Sequence, residues 1–185
     1  MIRIIALLVC MGFAGLAQAS LIDDFETGDF SRQAWSFAGQ QPWTIDSAVA
    51  AGGSSYSARS GQIGPSSTSS LILSLLTEAG QASFDYLTSS ETSFDFLKFF
   101  IDGTEIDRWS GRLNGFQSFS TTISAGAHTF EWRYQKDGSV NSGLDTVWID
   151  NFRAPVSGES VPASATLFLF GLGLAGLGWS RRKSG

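Results

Sequence analysis

Apolar and polar residues alternate with a period of two through much of the middle of the chain. Residues 128–134 show this pattern most clearly, since every second residue is His, Phe, Trp or Tyr and the residues between them are polar. Residues 82–86 and 97–101 also place apolar residues at every second position. A period of two is typical of β-strands that have one buried and one solvated face.

Pairs of turn-forming residues separate these segments: Gly52-Gly53, Gly64-Pro65, Ala79-Gly80, Asp102-Gly103, Asn114-Gly115, Ala125-Gly126 and Asp137-Gly138. Alternation and turns together predict strands at residues 22–26, 42–48, 55–59, 69–76, 80–87, 94–102, 104–109, 116–123, 127–136 and 145–152. The Asp102-Gly103 pair gives the clearest hairpin signal. Because no amphipathic helix separates the strands, the sequence predicts an all-β fold, an antiparallel β-sandwich.

The N-terminus has the three parts of a secretory signal. Arg3 supplies a positive start, residues 4–16 are almost wholly apolar, and Ala17-Gln18-Ala19 is a small-x-small cleavage site with Ala17 and Ala19 at its small positions. A permanent membrane helix needs about 20 apolar residues, and this run is shorter. We therefore predict a signal peptide over residues 1–19 and a mature chain that begins at Ser20.

A second apolar segment lies near the C-terminus, at residues 165–179, between a Pro-containing motif and a basic cluster. The motif and the cluster consist of Val161, Pro162, Ala163, Ser164, Arg181, Arg182 and Lys183. A helix of roughly 15 residues rises only about 22 Å, less than the ~30 Å hydrocarbon core, and four glycines weaken it further. The pattern predicts a C-terminal hydrophobic helix that holds residues 165–180 in the inner membrane transiently, with the basic cluster on the cytoplasmic side.

The order of Pro-containing motif, Gly/Leu-rich apolar run and Arg cluster ends in GLGLAGLGWSRRK. Residues 161–185 thereby resemble the PEP-CTERM sorting signal of Gram-negative bacteria. The resemblance implies recognition by an exosortase, a membrane transpeptidase-like enzyme, with cleavage near the motif and delivery to the cell surface or extracellular matrix. The usual Pro-Glu-Pro is Pro162-Ala163-Ser164 here, which retains only the first proline, and simple tail anchoring is the alternative.

Charge and cysteine content narrow the class of the mature protein. Residues 20–160 contain all 17 acidic residues but only 8 of the 12 basic ones, a net charge near −9 that argues against nucleic acid as a partner. The only cysteine, Cys10, lies in the predicted signal peptide, so we expect neither disulfides nor thiol chemistry. The length predicts one domain at residues 20–154, followed by a linker at residues 155–160.

Seven short motifs extend across this domain: DDFETGDF at 23–30, PW at 42–43, YSARSG at 56–61, DFLKFFIDG at 95–103, WSG at 109–111, AGAHTFEWRYQKDGS at 125–139 and SGLDTVWIDNF at 142–152. In this order they resemble a bacterial surface module related to MAM-type and concanavalin A-like jelly rolls. The resemblance implies a jelly-roll β-sandwich over nearly the whole domain. The module recurs in secreted adhesins and proteases, and the resemblance implies more about shape than about activity.

Jelly-roll modules often tie their first and last strands together with a structural calcium ion. Acidic residues cluster near both strands here, and the candidate calcium ligands are Asp24, Glu26, Asp145 and Asp150. Calcium takes about six to eight oxygen ligands, and backbone carbonyls around residues 55–57 would supply the others. If the two strands are neighbours, Glu26 and Asp150 face one another. The alternative is that these acids are solvated residues at strand ends.

A glycan-binding face is the second candidate site. An exposed aromatic ring can stack on the apolar face of a sugar while charged and amide side chains bond its hydroxyls. The candidate residues are Trp109 with Arg108 and Arg112, beside the loop from Asp137 to Asn141. The alternative for each tryptophan is a place in the core, because aromatic residues supply much of a sandwich core.

A catalytic function is the third candidate, and the motifs argue against it. Glu105-Ile106-Asp107 begins like the Glu-x-Asp-x-x-Glu of laminarinase-like glycosidases, but Ser110 occupies the position of the second glutamate, so the acid/base is missing. The only histidine, His128, alternates with aromatic residues, and no Gly-x-Ser-x-Gly motif accompanies it. We therefore expect that the protein is not an enzyme.

The sequence as a whole predicts an exported protein of the cell surface or extracellular matrix, whose jelly-roll domain binds exopolysaccharide or another surface component. Two alternatives stay open: a secreted glycoside hydrolase of the jelly-roll type, and a purely structural matrix protein that binds no small ligand.

Overall fold

The computed structural model describes residues 19–139 and 142–156, and these residues form two antiparallel β-sheets packed face to face. The strands are β1 (Ser20–Asp23), β2 (Ser36–Gly39), β3 (Thr44–Asp46), β4 (Ser57–Arg59), β5 (Thr68–Thr77), β6 (Gly80–Ser89), β7 (Phe96–Ile101), β8 (Thr104–Ser110), β9 (Gln117–Ile123), β10 (Gly126–Gln135) and β11 (Thr146–Ala154). The prediction of an all-β antiparallel sandwich is confirmed. The predicted signal peptide and C-terminal helix lie outside the described residues.

Each sheet has a strand order that differs from the order along the chain. The first sheet runs β3-β4-β11-β6-β9, and β1 also pairs with β11. The second sheet runs β2-β5-β10-β7-β8. Strands β8 and β9 are therefore the edge strands of the two different sheets. Within the described ranges, no helix is long and apolar enough to cross a membrane.

Ten of the strands correspond to predicted ones, and β2 was not predicted. All four of its residues are exposed, and Phe37, which pairs with Leu71 of β5, is still 40% exposed. A strand at the edge of a sheet need not bury alternate residues, so its sequence lacks the period of two on which the prediction rests.

The core lies between the sheets and consists mainly of aromatic rings. Trp132 of β10 is fully buried, and its ring meets Phe152 edge to face at a centroid distance of 4.8 Å, Phe84 at 5.4 Å and Phe99 at 5.2 Å. The alternation in β6, β7 and β10 points these rings inward from both sheets. Burial of each large apolar side chain stabilises the fold by roughly 1.5–3 kcal/mol.

The first and last strands pair with each other. Ser20 lies opposite Ala154 in the antiparallel ladder of β1 and β11, and Ile22 and Phe152 both belong to the buried core. A polypeptide of residues 20–156 therefore contains every strand and the whole core cluster that the structure describes, so it is a suitable unit for experiments in solution.

Candidate functional site

An aromatic seam lies where the edge strands of the two sheets meet. Trp109 of β8 stacks on Tyr86 of β6 with ring centroids 4.3 Å apart and an interplanar angle of 28°. The Trp109 ring also meets Phe119 of β9 edge to face at 5.1 Å. Trp109 and Phe119 are only half-buried, because no further strand covers β8 or β9. The three rings, Tyr86, Trp109 and Phe119, are called the aromatic seam below.

Polar side chains flank the aromatic seam. Asp107 precedes Trp109 by two residues on β8, so the two side chains lie on the same face of that strand. Burial raises the pKa of Tyr86, and the nearby Asp107 carboxylate raises it further. Gln117 lies opposite Tyr86 in the β6–β9 ladder and is exposed. A ring edge, a carboxylate and an amide therefore border one strip of surface.

The remaining residues of the predicted glycan site lie elsewhere. Arg108 is on the opposite face of β8 from Trp109, where its guanidinium lies over the Phe96 ring at 5.6 Å and pairs with Glu105 at 2.6 Å. Arg112 is exposed after β8, at an isolated bridge to Ser89. Their part in binding a glycan stays a prediction.

Asp137 and Asn141 complete the predicted glycan set. Asp137 follows β10 and accepts hydrogen bonds from the backbone N–H and the hydroxyl of Ser139, at 2.8 and 3.0 Å. Asn141 lies outside the described residues. The position of Trp109 beside this loop stays a prediction.

Glu105 and Asp107, which resemble the start of a glycosidase motif, are separated by an irregularity in β8. The register between β7 and β8 shifts between Phe99 and Phe100, so Asp107 lies opposite Phe99 and Glu105 opposite Phe100. Adjacent residues of β7 face opposite sides of the sheet, and Glu105 and Asp107 therefore do not share a face. Glu105 instead pairs with Lys98 at 3.5 Å as well as with Arg108.

A small cavity lies at the other edge of the first sheet, beside β3 and β4. Its volume is about 400 Å³, and it is lined by Gln41, Pro42, Thr44, Arg59, Ser60, Gly61 and Gln62. The Arg59 guanidinium also lies over the Trp148 ring, 5.8 Å from its centroid. The size falls within the range of small-ligand pockets. The sequence did not indicate this cavity, because its amide side chains come from loops that lack a recognisable motif.

Two of the predicted calcium ligands, Glu26 and Asp150, bind the same short segment. Glu26 Oε1 accepts hydrogen bonds from the backbone N–H of Ser55 at 2.7 Å and of Tyr56 at 3.0 Å. Asp150 is buried, and its Oδ2 accepts the Ala51 N–H at 3.0 Å. Burial raises the pKa of Asp150 to about 6, although its hydrogen bonds act in the opposite direction.

The other two predicted calcium ligands form ion pairs with basic side chains. Asp24 Oδ1 pairs with Arg32 at 2.7 Å. Asp145 accepts a hydrogen bond from the Tyr134 hydroxyl at 2.9 Å and pairs with the buried Lys136. Backbone N–H groups of residues 51–56, rather than carbonyls, point at Glu26 and Asp150 in this structure.

Three further carboxylates converge at one end of the sandwich. Glu91, Asp95 and Asp137 each offer an oxygen within 4.8 Å of the others. This set, called the acidic cluster below, could hold a cation. Of these three residues, only Asp137 was predicted as a site residue, and it was assigned to the glycan site. Glu91 and Asp95 have a four-residue spacing that could have indicated the pair. They lie in the turn after β6, where the Asp95 N–H bonds the Glu91 carbonyl at 3.1 Å.

Comparison with protein families identifies the C-terminal segment. Residues 160–183 match the PEP-CTERM protein-sorting motif. The match confirms the resemblance for this part of the chain, and such a signal implies an extracellular protein sorted by an exosortase. The comparison with curated proteins returned no match.

Comparison with solved structures identifies the fold of the sandwich. TmCBM61, solved in complex with β-1,4-galactotriose, aligns with a TM-score of 0.51 and 17% identity, over 70% of this chain and 92% of that one. The K2 cleaved adhesin domain of Lys-gingipain aligns with 0.53 and 15%, over 74% and 98%. The K3 domain from Porphyromonas gingivalis aligns with 0.51 and 12%, over 74% and 98%. The chain thus combines a β-sandwich similar to carbohydrate-binding modules and adhesin domains with a PEP-CTERM sorting motif.

Proposed function

We propose that the protein is exported, sorted by an exosortase acting on residues 161–185, and displayed at the cell surface or in the extracellular matrix, where its sandwich binds a polysaccharide. The matched sorting motif supports the first part of the proposal. The solved complex of TmCBM61 with a galactotriose supports the second by analogy, since that protein of similar fold binds a sugar. We further propose that the protein is not an enzyme.

The observation that carries the glycan proposal is the half-buried Trp109 ring in the aromatic seam. Its stack on Tyr86 fixes the ring orientation, so that little side-chain entropy is lost when a sugar packs against it. Asp107 and Gln117 supply hydrogen-bonding groups for the hydroxyls of that sugar. A flat ring with polar groups at its border is the arrangement that sugar recognition requires.

The test is a glycan-binding screen with the fragment of residues 20–156, followed by titration of any ligand found. We expect Trp109→Ala and Asp107→Asn to weaken binding at least about tenfold. Leu76→Ala is the matched control, because Leu76 is 72% exposed on β5, which β10 and β7 separate from β8 in the second sheet. Asp107 is exposed, so its variant separates loss of binding from loss of folding.

Two outcomes of the screen would contradict this proposal. If the fragment binds no glycan in the presence or absence of calcium, a structural matrix protein is the better description. If binding is found but is lost in Gln62→Ala and unchanged in Trp109→Ala, the ligand occupies the cavity beside β3 and β4 instead.

The glycosidase alternative is testable on Glu105. The ion pairs of Glu105 with Lys98 and Arg108, and the different faces of Glu105 and Asp107, support a structural role for this residue. Polysaccharide hydrolysis by the wild-type fragment that is abolished in Glu105→Gln would establish the enzyme and defeat the binding proposal.

The sorting proposal has its own test. Mass spectrometry of the surface-located protein should show a C-terminus near Pro162, without the basic residues Arg181 to Lys183. An intact basic tail in that form would contradict exosortase cleavage and favour simple tail anchoring.

We also retain structural calcium at Glu26 and Asp150 as part of the proposal. Both carboxylates bind residues 51–56, and an ion between them would replace hydrogen bonds to that segment by stronger ligation. Thermal unfolding with calcium and with a chelator tests this role. We expect a calcium-dependent rise in Tm that Glu26→Gln reduces, and a Tm response unchanged by that substitution would contradict it.

A further inference from the structure

We propose that Glu91, Asp95 and Asp137 bind a calcium ion that joins the β6–β7 and β10–β11 loops at one end of the sandwich. This site is separate from the Glu26 and Asp150 pair and does not depend on the glycan proposal. Its residues come from two loops that are distant in sequence, so the ion would act as a crosslink between them.

Backbone geometry brings the three carboxylates together before any ion binds. The turn that begins at Glu91 returns the Asp95 N–H to the Glu91 carbonyl, which brings the two residues together. Asp95 Oδ1 then accepts the Asp137 N–H at 3.0 Å, which fixes the second loop beside the first. The resulting arrangement places one oxygen from each residue within 4.8 Å of the others.

Glu91 and Asp95 each have one carboxylate oxygen that is buried without a hydrogen-bond donor. Asp95 is 0% exposed, and its Oδ2 has no partner among the described residues; the same is true of Glu91 Oε2. An unpaired buried carboxylate oxygen is costly, because burial removes its water without replacing the hydrogen bond, so such atoms normally have a partner. The presence of such an oxygen on two members of the acidic cluster separates it from ordinary surface acids.

The electrostatics of the acidic cluster also favour a bound cation. Burial raises the pKa of both Glu91 and Asp95, and the carboxylate of Asp137 adds to the rise in each case. Lys136 offsets part of this charge, but it is itself bonded to another carboxylate, that of Asp145. A divalent ion at the centre would neutralise the cluster and satisfy the two orphaned oxygens together.

The ligand set and its spacing point to calcium. All three side chains offer carboxylate oxygen, which suits hard cations and not metals that prefer nitrogen or sulfur. Oxygens that ligate one calcium ion at about 2.3–2.6 Å lie up to roughly 5 Å apart, whereas magnesium requires a shell of about 2.0–2.1 Å with strict octahedral geometry. The separation of the three oxygens, at most 4.8 Å, therefore matches calcium.

The experiment is isothermal titration of the fragment of residues 20–156 with calcium chloride after treatment with a chelator. We expect Asp95→Asn and Glu91→Gln each to remove one binding event or to weaken it at least about tenfold. The two exchanges preserve side-chain size, and the Asn carbonyl can still accept the Asp137 N–H. Two variants are used so that the result does not depend on the buried Asp95 alone, since Glu91 is only half-buried.

Glu26→Gln is the matched control, since it removes a carboxylate from the other acidic pair. Calcium binding that disappears in Glu26→Gln and is unchanged in both Glu91→Gln and Asp95→Asn would overturn the proposal. Absence of any calcium binding at millimolar concentration would also overturn it. Retention of one event in Glu26→Gln, together with its loss in Glu91→Gln, would establish the site even if the other pair binds nothing.

Discussion

The indole of Trp109 stacks on the phenol ring of Tyr86, with centroids 4.3 Å apart and the ring planes inclined by 28°, across the open side of the sandwich. The two residues belong to different sheets, so this stack joins β8 to β6 where no hydrogen-bonded strand does so. The same ring therefore serves both the packing of the edge and the proposed sugar surface.

Substitution of Trp109 should consequently affect stability as well as binding. We expect Trp109→Ala to lower the free energy of unfolding by about 2 kcal/mol or more, because a half-buried ring is removed, and Trp109→Phe to cost about 1 kcal/mol. Urea unfolding followed by circular dichroism measures both. Equal free energies of unfolding for Trp109→Ala and wild type would show that the stack of Trp109 on Tyr86 does not stabilise the fold.

Asp95 should destabilise the protein when no metal is present. In a chelator, Asp95→Asn should raise the free energy of unfolding, on the order of 1 kcal/mol, because it removes a buried charge beside the Glu91 and Asp137 carboxylates. With calcium in excess, wild type should have the higher free energy of unfolding, because only wild type retains the full set of ligands. The exposed Glu78, outside the acidic cluster, provides a control in Glu78→Gln, which should change neither value.

The Asp102 carboxylate should make part of the stability depend on pH. Its pKa lies below the ordinary value because it accepts the Thr129 N–H at 2.8 Å and bonds His128 at 2.7 Å. A depressed carboxyl pKa stabilises the fold above the unfolded value, and this contribution is lost as the pH falls through the folded pKa.

Asp102→Asn isolates this effect, because Asn tolerates the left-handed backbone of this turn residue and can still accept the Thr129 N–H. Wild type should be more stable than the variant at pH values above the ordinary carboxyl pKa of about 3.9, and the difference should diminish as the pH falls below that value. Thermal unfolding across that range measures it. A difference that does not change with pH would assign the effect to packing instead of charge.

Gly39 should be intolerant of a side chain. It has φ of 94°, and a Cβ there would lie 2.2 Å from the Thr68 carbonyl oxygen, because β2 approaches β5 closely at this point. We expect Gly39→Ala to lower the free energy of unfolding by more than about 1 kcal/mol. Gly52→Ala, where a Cβ meets nothing within 4 Å, should be neutral within about 0.5 kcal/mol.

Most of the sandwich was predictable because its central strands bury alternate residues. In β10, Phe130, Trp132 and Tyr134 are fully buried, and the partly exposed Glu131 and Arg133 lie between them, as the period of two requires. The edge strand β2 was not predicted, because all its residues are exposed and its sequence therefore lacks the alternation of apolar and polar residues.

The sites were less predictable, because they depend on contacts between distant segments. Arg108 and Trp109 are neighbours in sequence but lie on opposite faces of β8. Glu91 and Asp137 are far apart in sequence, and the fold brings their carboxylates together. The shared segment at residues 51–56 was anticipated for Glu26 and Asp150, although its N–H groups point at them and not its carbonyls.

The pairing of β1 with β11 also determines which way the module faces. Ser20 and Ala154 leave the sandwich at the same end, while Thr146 and Ser89, at the start of β11 and the end of β6, mark the opposite end. The acidic cluster lies in the loops of that opposite end, since Glu91 follows β6 and Asp137 follows β10. A protein tethered through its C-terminal segment would thus have its attachment point at the base and these loops at the tip, where they meet the surroundings first.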